Sequence, residues 1–160
     1  MDPLVRPRTA ADLPACVEAL RRTHAVDRYP MVWPAAPVAW LMPPTQLAAW
    51  VATADDDVVG HVLLAGLAGG RAAISRLLVV PRAQGRGVAG ALIAAAESRA
   101  GQLLRRLELD VVEESAAAIR LYERLGWTLV ERGPADFTWP DGTRPVQRRY
   151  EAPGRTIDTS

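Results

Sequence analysis

At 160 residues and 49% hydrophobic, the chain has the length that one domain with a sizeable core needs. Lys plus Arg and Asp plus Glu number 19 and 18, a net charge of +1, so no global field recruits nucleic acid or an anionic membrane. The single Cys16 excludes an internal disulfide, and two histidines without a nearby cysteine give no zinc spacing, so no metal is expected.

The start, "MDPLVRPRTAADLP", begins acidic with Asp2 and has no apolar core of secretory length, and no window of about 18 uncharged apolar residues is present to cross a bilayer. The expected location is a reducing cytoplasm. "LVRPRT" is a short strand candidate. In "TAADLPACVEALRRTH", Leu13, Cys16, Val17 and Leu20 recur at i, i+3, i+4 and i+7, which predicts a helix capped by Thr9 or Asp12, with Cys16 in the core.

From Ala25 to Thr45 the prolines at 30, 34, 37, 43 and 44 break any long element, while Tyr29, Trp33, Trp40 and Met42 are too large and apolar for an idle loop. Such a stretch lies on a surface. It is either a loop folded over the core or a wall of a substrate pocket, in which case Trp33 and Trp40 contact the substrate.

"AWVATADDDVVGHVLLAG" then reads as strand, turn, strand, with Asp55, Asp56 and Asp57 at the tip. The alternating ligand spacing of a calcium loop is missing there, and a solvated turn is expected. His61, just inside the second strand, reads as an ordinary satisfied histidine. "AAISRLLVV" completes an antiparallel meander. Helix "GVAGALIAAAESRA", strand "RLELDVV", helix "ESAAAIRLYERLG" and strand "WTLVERG" follow, and such units favour parallel strands. A turn signal at Asp141-Gly142 and a last strand, "PVQRRY", suggest a closing hairpin. The expected fold class is therefore α/β: one domain over residues 1–152 with a mixed sheet, and a frayed tail over 153–160.

Gly85, Gly87 and Gly90 read as G-x-G-x-x-G, and the turn between the strand ending at Val80 and the helix starting near Gly87 predicts an anion site. Free amides and the helix dipole meet there, and Arg82 and Arg86 can add charge-assisted bonds to phosphate oxygens. In a dinucleotide-binding fold the first glycine follows its strand almost directly and opens a mostly parallel sheet. Here residues 81–84 intervene and antiparallel strands come first, although Glu108 and Asp110 lie about 20 residues further on, near the spacing of a ribose-binding acid.

The surroundings of the glycines point elsewhere. "LLVVPRAQGRGVAGALI" resembles the acetyl-coenzyme A signature of the GNAT superfamily of N-acetyltransferases, with Gln84, Gly87 and Ala89 in the [QR]-x-x-G-x-[GA] pattern. "LELDVVEESAAAIRLYERLGWTLVERG" resembles that superfamily's next motif through Ala118, Leu121, Tyr122, Gly126 and Trp127. The resemblance implies a GNAT-like sheet splayed around acetyl-coenzyme A as acyl donor, with the backbone of Leu77, Leu78 and Val79 pairing with the pantetheine arm. It further implies that Gln84, Gly85, Arg86, Gly87, Val88, Ala89 and Gly90 wrap the pyrophosphate and that Tyr122 protonates the departing thiolate. An amide at or near Val79 would stabilise the developing oxyanion.

Attack by an amine needs a base, often reached through water. Some relatives carry a carboxylate on the strand leading into the first motif, where this chain has Ser75 and Arg76. The other family position is the acid of an L-[DE]-V pattern, here Asp110, with Glu108 on the same face; both carboxylates could instead pair with Arg105 or Arg106. Ser115 stands where many relatives have a cofactor-holding Asn. The implied enzyme is a monomer or homodimer that moves acetyl to a primary amine, expected on a small molecule. A peptide or protein α-amine, and a non-catalytic coenzyme A sensor, are the alternatives.

Overall fold

The structure, a computed structural model, describes residues 2–154. They form two compact units, one up to Arg105 and one from Arg106 onward. The tail expected to fray lies, from residue 155, outside the described residues.

In the first unit, β1 (Leu4–Pro7), β2 (Gln46–Ala54), β3 (Asp57–Leu67) and β4 (Arg71–Val79) form an antiparallel sheet in chain order, as the meander predicted. The β2–β3 connection is a two-residue loop in which Asp55 and Asp56 both take positive φ, 51° and 66°, the geometry that matches strand twist in tight hairpins. Asp57 already belongs to β3, where its carboxylate meets Arg82 at 3.0 Å. Val58 through Ala65 are all buried, as expected for a strand covered on both faces.

The covers are α1 (Leu13–Asp27) and α3 (Val88–Gln102), both of which contact β3. Helix α1 buries Cys16, Ala19, Leu20 and Thr23 at i, i+3, i+4 and i+7. Helix α3 buries Val88, Leu92, Ile93, Ala96 and Ala100. Its close approach depends on Gly60, where a Cβ would stand 2.9 Å from Leu92 Cδ1 and 3.0 Å from Val88 Cγ1. Within the proline-rich segment the short helix α2 (Pro37–Trp40) forms, an element that the proline spacing concealed.

The second unit contains β5 (Arg106–Val112), α4 (Ala116–Arg124), β6 (Thr128–Pro134) and β7 (Val146–Glu151). Strand β7 pairs antiparallel with both β5 and β6, aligning Leu109, Tyr150 and Leu129 across the three strands. The closing antiparallel pair of β6 and β7 forms as expected. Its position corrects the simpler strand-helix-strand picture, because β5 and β6 run parallel with β7 inserted between them. Cross-strand charge pairs accompany this order: β7 brings Arg149 opposite Asp110, and Arg148 reaches Glu113 at 3.0 Å.

Tyr150 is fully buried at the centre of this unit, with Leu107, Leu109, Ile119, Tyr122 and Trp127 buried alongside. Helix α4 ends in a Schellman turn: the Trp127 amide donates to Tyr122 O at 3.0 Å and the Gly126 amide to Glu123 O at 3.1 Å. Gly126 takes φ 87°, which favours glycine, and the apolar contact that accompanies such turns is the Tyr122–Trp127 ring pair, 6.2 Å between centroids.

Candidate active site

Strand β4 stops at Val79, and a 3-10 turn over Pro81–Ala83 leads to Gln84. Gly85 and Gly87 both have φ 77°, and Gly87 is the N-cap of α3 without a side chain to spend on capping. The Ala91 amide finds Gly87 O at 3.1 Å. The amides before it, of Val88, Ala89 and Gly90, are those a helix start leaves without intrahelical acceptors. Among the described residues, no atom beyond the chain neighbours lies within 4 Å of the Cβ positions at Gly85 and Gly87, so the loop is open on that side. A site of positive dipole and open amides fits a pyrophosphate.

Gln84 has a second task. Its Nε2 donates to Val79 O at 3.1 Å and to Asp27 Oδ2 at 2.7 Å, tying the loop to the end of β4 and the end of α1. Arg86 is exposed beside the glycines, whereas Arg82 is engaged with Asp57.

Strand β4 is interrupted just before the segment Leu77–Val79. His61 aligns with Leu78 and Leu63 with Ser75, so Arg76 and Leu77 stand opposite the single residue Val62. Arg76 takes φ 53°, a left-handed conformation at a non-glycine residue, and this is a β-bulge. It is held from both ends. His61 Nδ1–H donates to Arg76 O at 2.9 Å, and His61 Nε2 accepts from Arg8 Nη1 at 2.8 Å. Arg8 also donates to Leu41 O at 2.7 Å and to Gln46 Oε1 at 2.7 Å.

His61 is fully buried, and burial pushes its pKa down to about 4, so the ring is neutral and saturated, as the sequence suggested. Burial likewise pushes the Cys16 thiol up to about 11, consistent with a packing role. Sequence reasoning missed Arg8 and the bulge altogether. No local pattern announces a left-handed Arg.

Trp33 and Trp40 occupy different settings. Trp33 packs against His24 of α1, 5.5 Å between rings, with Arg21 Cζ at 5.1 Å. Trp40 lies under Arg76 Cζ at 4.2 Å and meets the ring of Tyr29 edge-on at 6.3 Å. The segment is therefore pinned to α1 at one aromatic and to β4 at the other.

In the second unit Tyr122 lies on the buried face of α4, packed between Trp127 and Tyr150. Asp110 and Glu108 do share a strand face. Their cation is Arg149 of β7, which replaces the expected Arg105 or Arg106: Nε lies 2.8 Å from Glu108 Oε2 and 3.0 Å from Asp110 Oδ1, and Nη1 reaches Glu131 at 3.1 Å. Arg105 instead caps carbonyls of Leu67 and Arg71, at 3.4 and 3.0 Å, and Arg106 meets Glu151. Ser115 occupies the N-cap of α4, but its side chain makes no capping bond. Among the described residues no cluster of His, Cys, Asp and Glu is arranged to hold a metal.

Residues 14–127 match the acetyltransferase (GNAT) family, which is most of the chain, and the chain belongs to that family. It is an acyl-coenzyme A-dependent transferase that uses acetyl-coenzyme A. Three solved structures illustrate the fold. The ribosomal-protein-S18-alanine N-acetyltransferase of Escherichia coli is 21% identical, with a TM-score of 0.75 over 98% of this chain and 99% of that one. YncA of Salmonella typhimurium, a putative acetyltransferase solved with acetyl-coenzyme A, is 21% identical, with a TM-score of 0.74 over 93% and 92% of the two chains. NAA60 of Arabidopsis thaliana, in complex with a bisubstrate analogue, is 21% identical with a TM-score of 0.74 over 94% and 97%. Among the described residues no helix is long and apolar enough to cross a membrane.

Proposed function

We propose that this acetyltransferase acetylates a primary amine of a small molecule by direct attack, without a covalent enzyme intermediate. The carrying observation is the segment from Tyr29 to Met42, whose Trp40 carries Arg76 on its face and Tyr29 at its edge, immediately ahead of the proposed cofactor-pairing stretch of β4. An ordered aromatic wall at that point suits enclosure of a compact acceptor.

Acetyl-coenzyme A supplies the thioester carbonyl. The amides of Gly85 to Gly90 and the start of α3 hold the pyrophosphate, with Arg86 adding charge at its edge, and Leu77, Leu78 and Val79 align the pantetheine by backbone hydrogen bonds. The Val79 amide is the candidate donor to the developing oxyanion. Tyr122 is the candidate acid, its hydroxyl passing a proton to the leaving thiolate. Asp110 is the candidate base: its half-exposed carboxylate, oriented by Arg149 along one edge, can accept a proton from the ammonium through water. Trp33 and Trp40 line the acceptor side, and Ser115 contributes a cofactor contact from the start of α4.

A peptide or protein α-amine is the second reading. It is favoured by Asp110 and Tyr122, which match positions used in relatives that modify N-termini, and by the likeness to the S18-alanine acetyltransferase. The test combines purified protein, acetyl-coenzyme A and a panel of small amines and peptides, watched for free thiol. Thiol release with small amines is the expected result. Release with peptides alone selects the second reading. Tight coenzyme A binding without any amine-dependent release makes the chain a cofactor sensor.

A further inference from the structure

Among the described residues, the Arg76 guanidinium meets no carboxylate. Of its five N–H donors, Nε is used on Trp40 O at 3.2 Å and one Nη1 hydrogen on Ser75 Oγ at 3.1 Å, leaving three without an acceptor among the described residues. The side chain is half-buried, and burial lowers its pKa from the ordinary arginine value. Its other neighbours are the Trp40 face, 4.2 Å from Cζ, and beyond it Tyr29, whose ring meets Trp40 edge-on at 6.3 Å. Of the other partly buried arginines, Arg6 has Asp12, Arg148 has Glu113 and Arg149 has Glu108 and Asp110. Arg8 is spent on Leu41 O, His61 and Gln46, and Arg105 on the carbonyls of Leu67 and Arg71.

The position of Arg76 is also costly. A left-handed φ at a non-glycine residue persists only where its surroundings impose it, and here His61 and Arg8 hold the bulge from behind. Their support fixes where the guanidinium projects, directly before Leu77–Val79. A charged fork desolvated on an aromatic platform, with donors to spare, suits a planar oxyanion that binds two of them at once.

We propose that Arg76, seated on Trp40 beside Tyr29, recognises a carboxylate on the acceptor, so that the preferred substrate is an amine bearing a free carboxylate, such as an amino acid. This rests on the acetyl-transfer reading given above. It deepens that reading by naming the acceptor class.

The test uses amine pairs that differ only in the anion: an amino acid, its decarboxylated amine and its carboxamide, with the corresponding aminophosphonate to separate carboxylate from other oxyanions. Two readouts are taken on the full chain with coenzyme A bound or turning over, free-thiol release and the ligand-induced shift in melting temperature. The expected result is a kcat/KM about 10- to 100-fold higher for the carboxylate member than for its neutral partners or the phosphonate. In Arg76→Gln that ratio collapses toward one, and Arg76→Lys, which keeps the charge and loses the fork, retains an intermediate ratio.

Equal or better use of neutral amines or peptide amides by the wild-type protein overturns the inference while leaving acetyl transfer intact, as does a ratio unchanged in both variants. A stronger preference for the phosphonate also overturns it. If no amine releases thiol, the melting shift decides alone. A carboxylate-specific shift that Arg76→Gln abolishes sustains the anion site and removes the transfer reading, and the absence of such a shift overturns the inference.

Discussion

His61 donates from Nδ1 to the carbonyl oxygen of Arg76 at 2.9 Å, so a neutral imidazole buried in β3 holds the one left-handed residue of β4. The contact links a core residue of β3 to the bulge of β4 directly before Leu77–Val79. It also makes the bulge sensitive to pH.

The ordinary imidazole pKa of 6.5 falls to about 4 in the folded protein, so between these values the unfolded chain binds the proton and the native one does not. Stability should therefore fall as pH drops from 6.5 to 4, by about 1.4 kcal/mol per pH unit from this residue. Below 4 its contribution is flat. Urea unfolding at pH 7, 6, 5 and 4 checks this, and the wild-type slope should be absent in His61→Gln.

Asp12 acts in a lower window. The Arg6 guanidinium, at 2.8 Å to both carboxylate oxygens, and the Thr9 amide at 2.7 Å hold its carboxyl well below the usual range. Its stabilisation is present above the unfolded value of 3.8 and is lost as pH falls further. Asp12→Asn should cost about 1–3 kcal/mol at pH 7. The gap between the melting curves of the two proteins should narrow as pH falls below 3.8 and still be present at pH 3.

Gly60→Ala tests how α3 is seated. The added methyl would press on Leu92 Cδ1 at 2.9 Å, Val88 Cγ1 at 3.0 Å and Leu78 O at 3.2 Å. A destabilisation of about 1–3 kcal/mol is expected. Because Val88 opens α3, coenzyme A affinity measured by calorimetry should weaken too. Loss of stability with unchanged affinity would separate helix seating from coenzyme A binding.

Leu104 follows the last turn of α3 with φ 55° and a side chain 90% exposed, in a turn where the Arg105 amide reaches Ala100 O at 2.9 Å. This is the position glycine favours in such turns. Leu104→Gly should raise stability by about 0.5–1 kcal/mol. Thermal denaturation reads the gain directly.

Tyr122→Phe keeps the ring that packs on Trp127 and Tyr150 and removes only the hydroxyl. If the hydroxyl is the acid, kcat should drop by about 100-fold or more, while melting temperature and coenzyme A affinity stay close to wild type. Unchanged turnover assigns Tyr122 to the core alone.

Much of this was legible in the chain. The apolar spacing of Cys16 and Leu20 gave α1, the glycines at 85 and 87 gave the left-handed turn that opens α3, and Gly126-Trp127 marked the end of α4. Each is a local property, set by backbone torsion or by side chains within a helical turn of one another. The flanking residues Pro81, Gln84 and Tyr122 then distinguished an acetyl donor from a dinucleotide. What only the tertiary structure decided were the long-range partners: β7 between β5 and β6, Arg149 rather than Arg105 or Arg106 on Asp110, and the chain from Arg8 through His61 to Arg76. Charge pairs between distant strands leave no periodicity in the sequence. A left-handed arginine is stable only because two other segments hold it, and no window around residue 76 contains them.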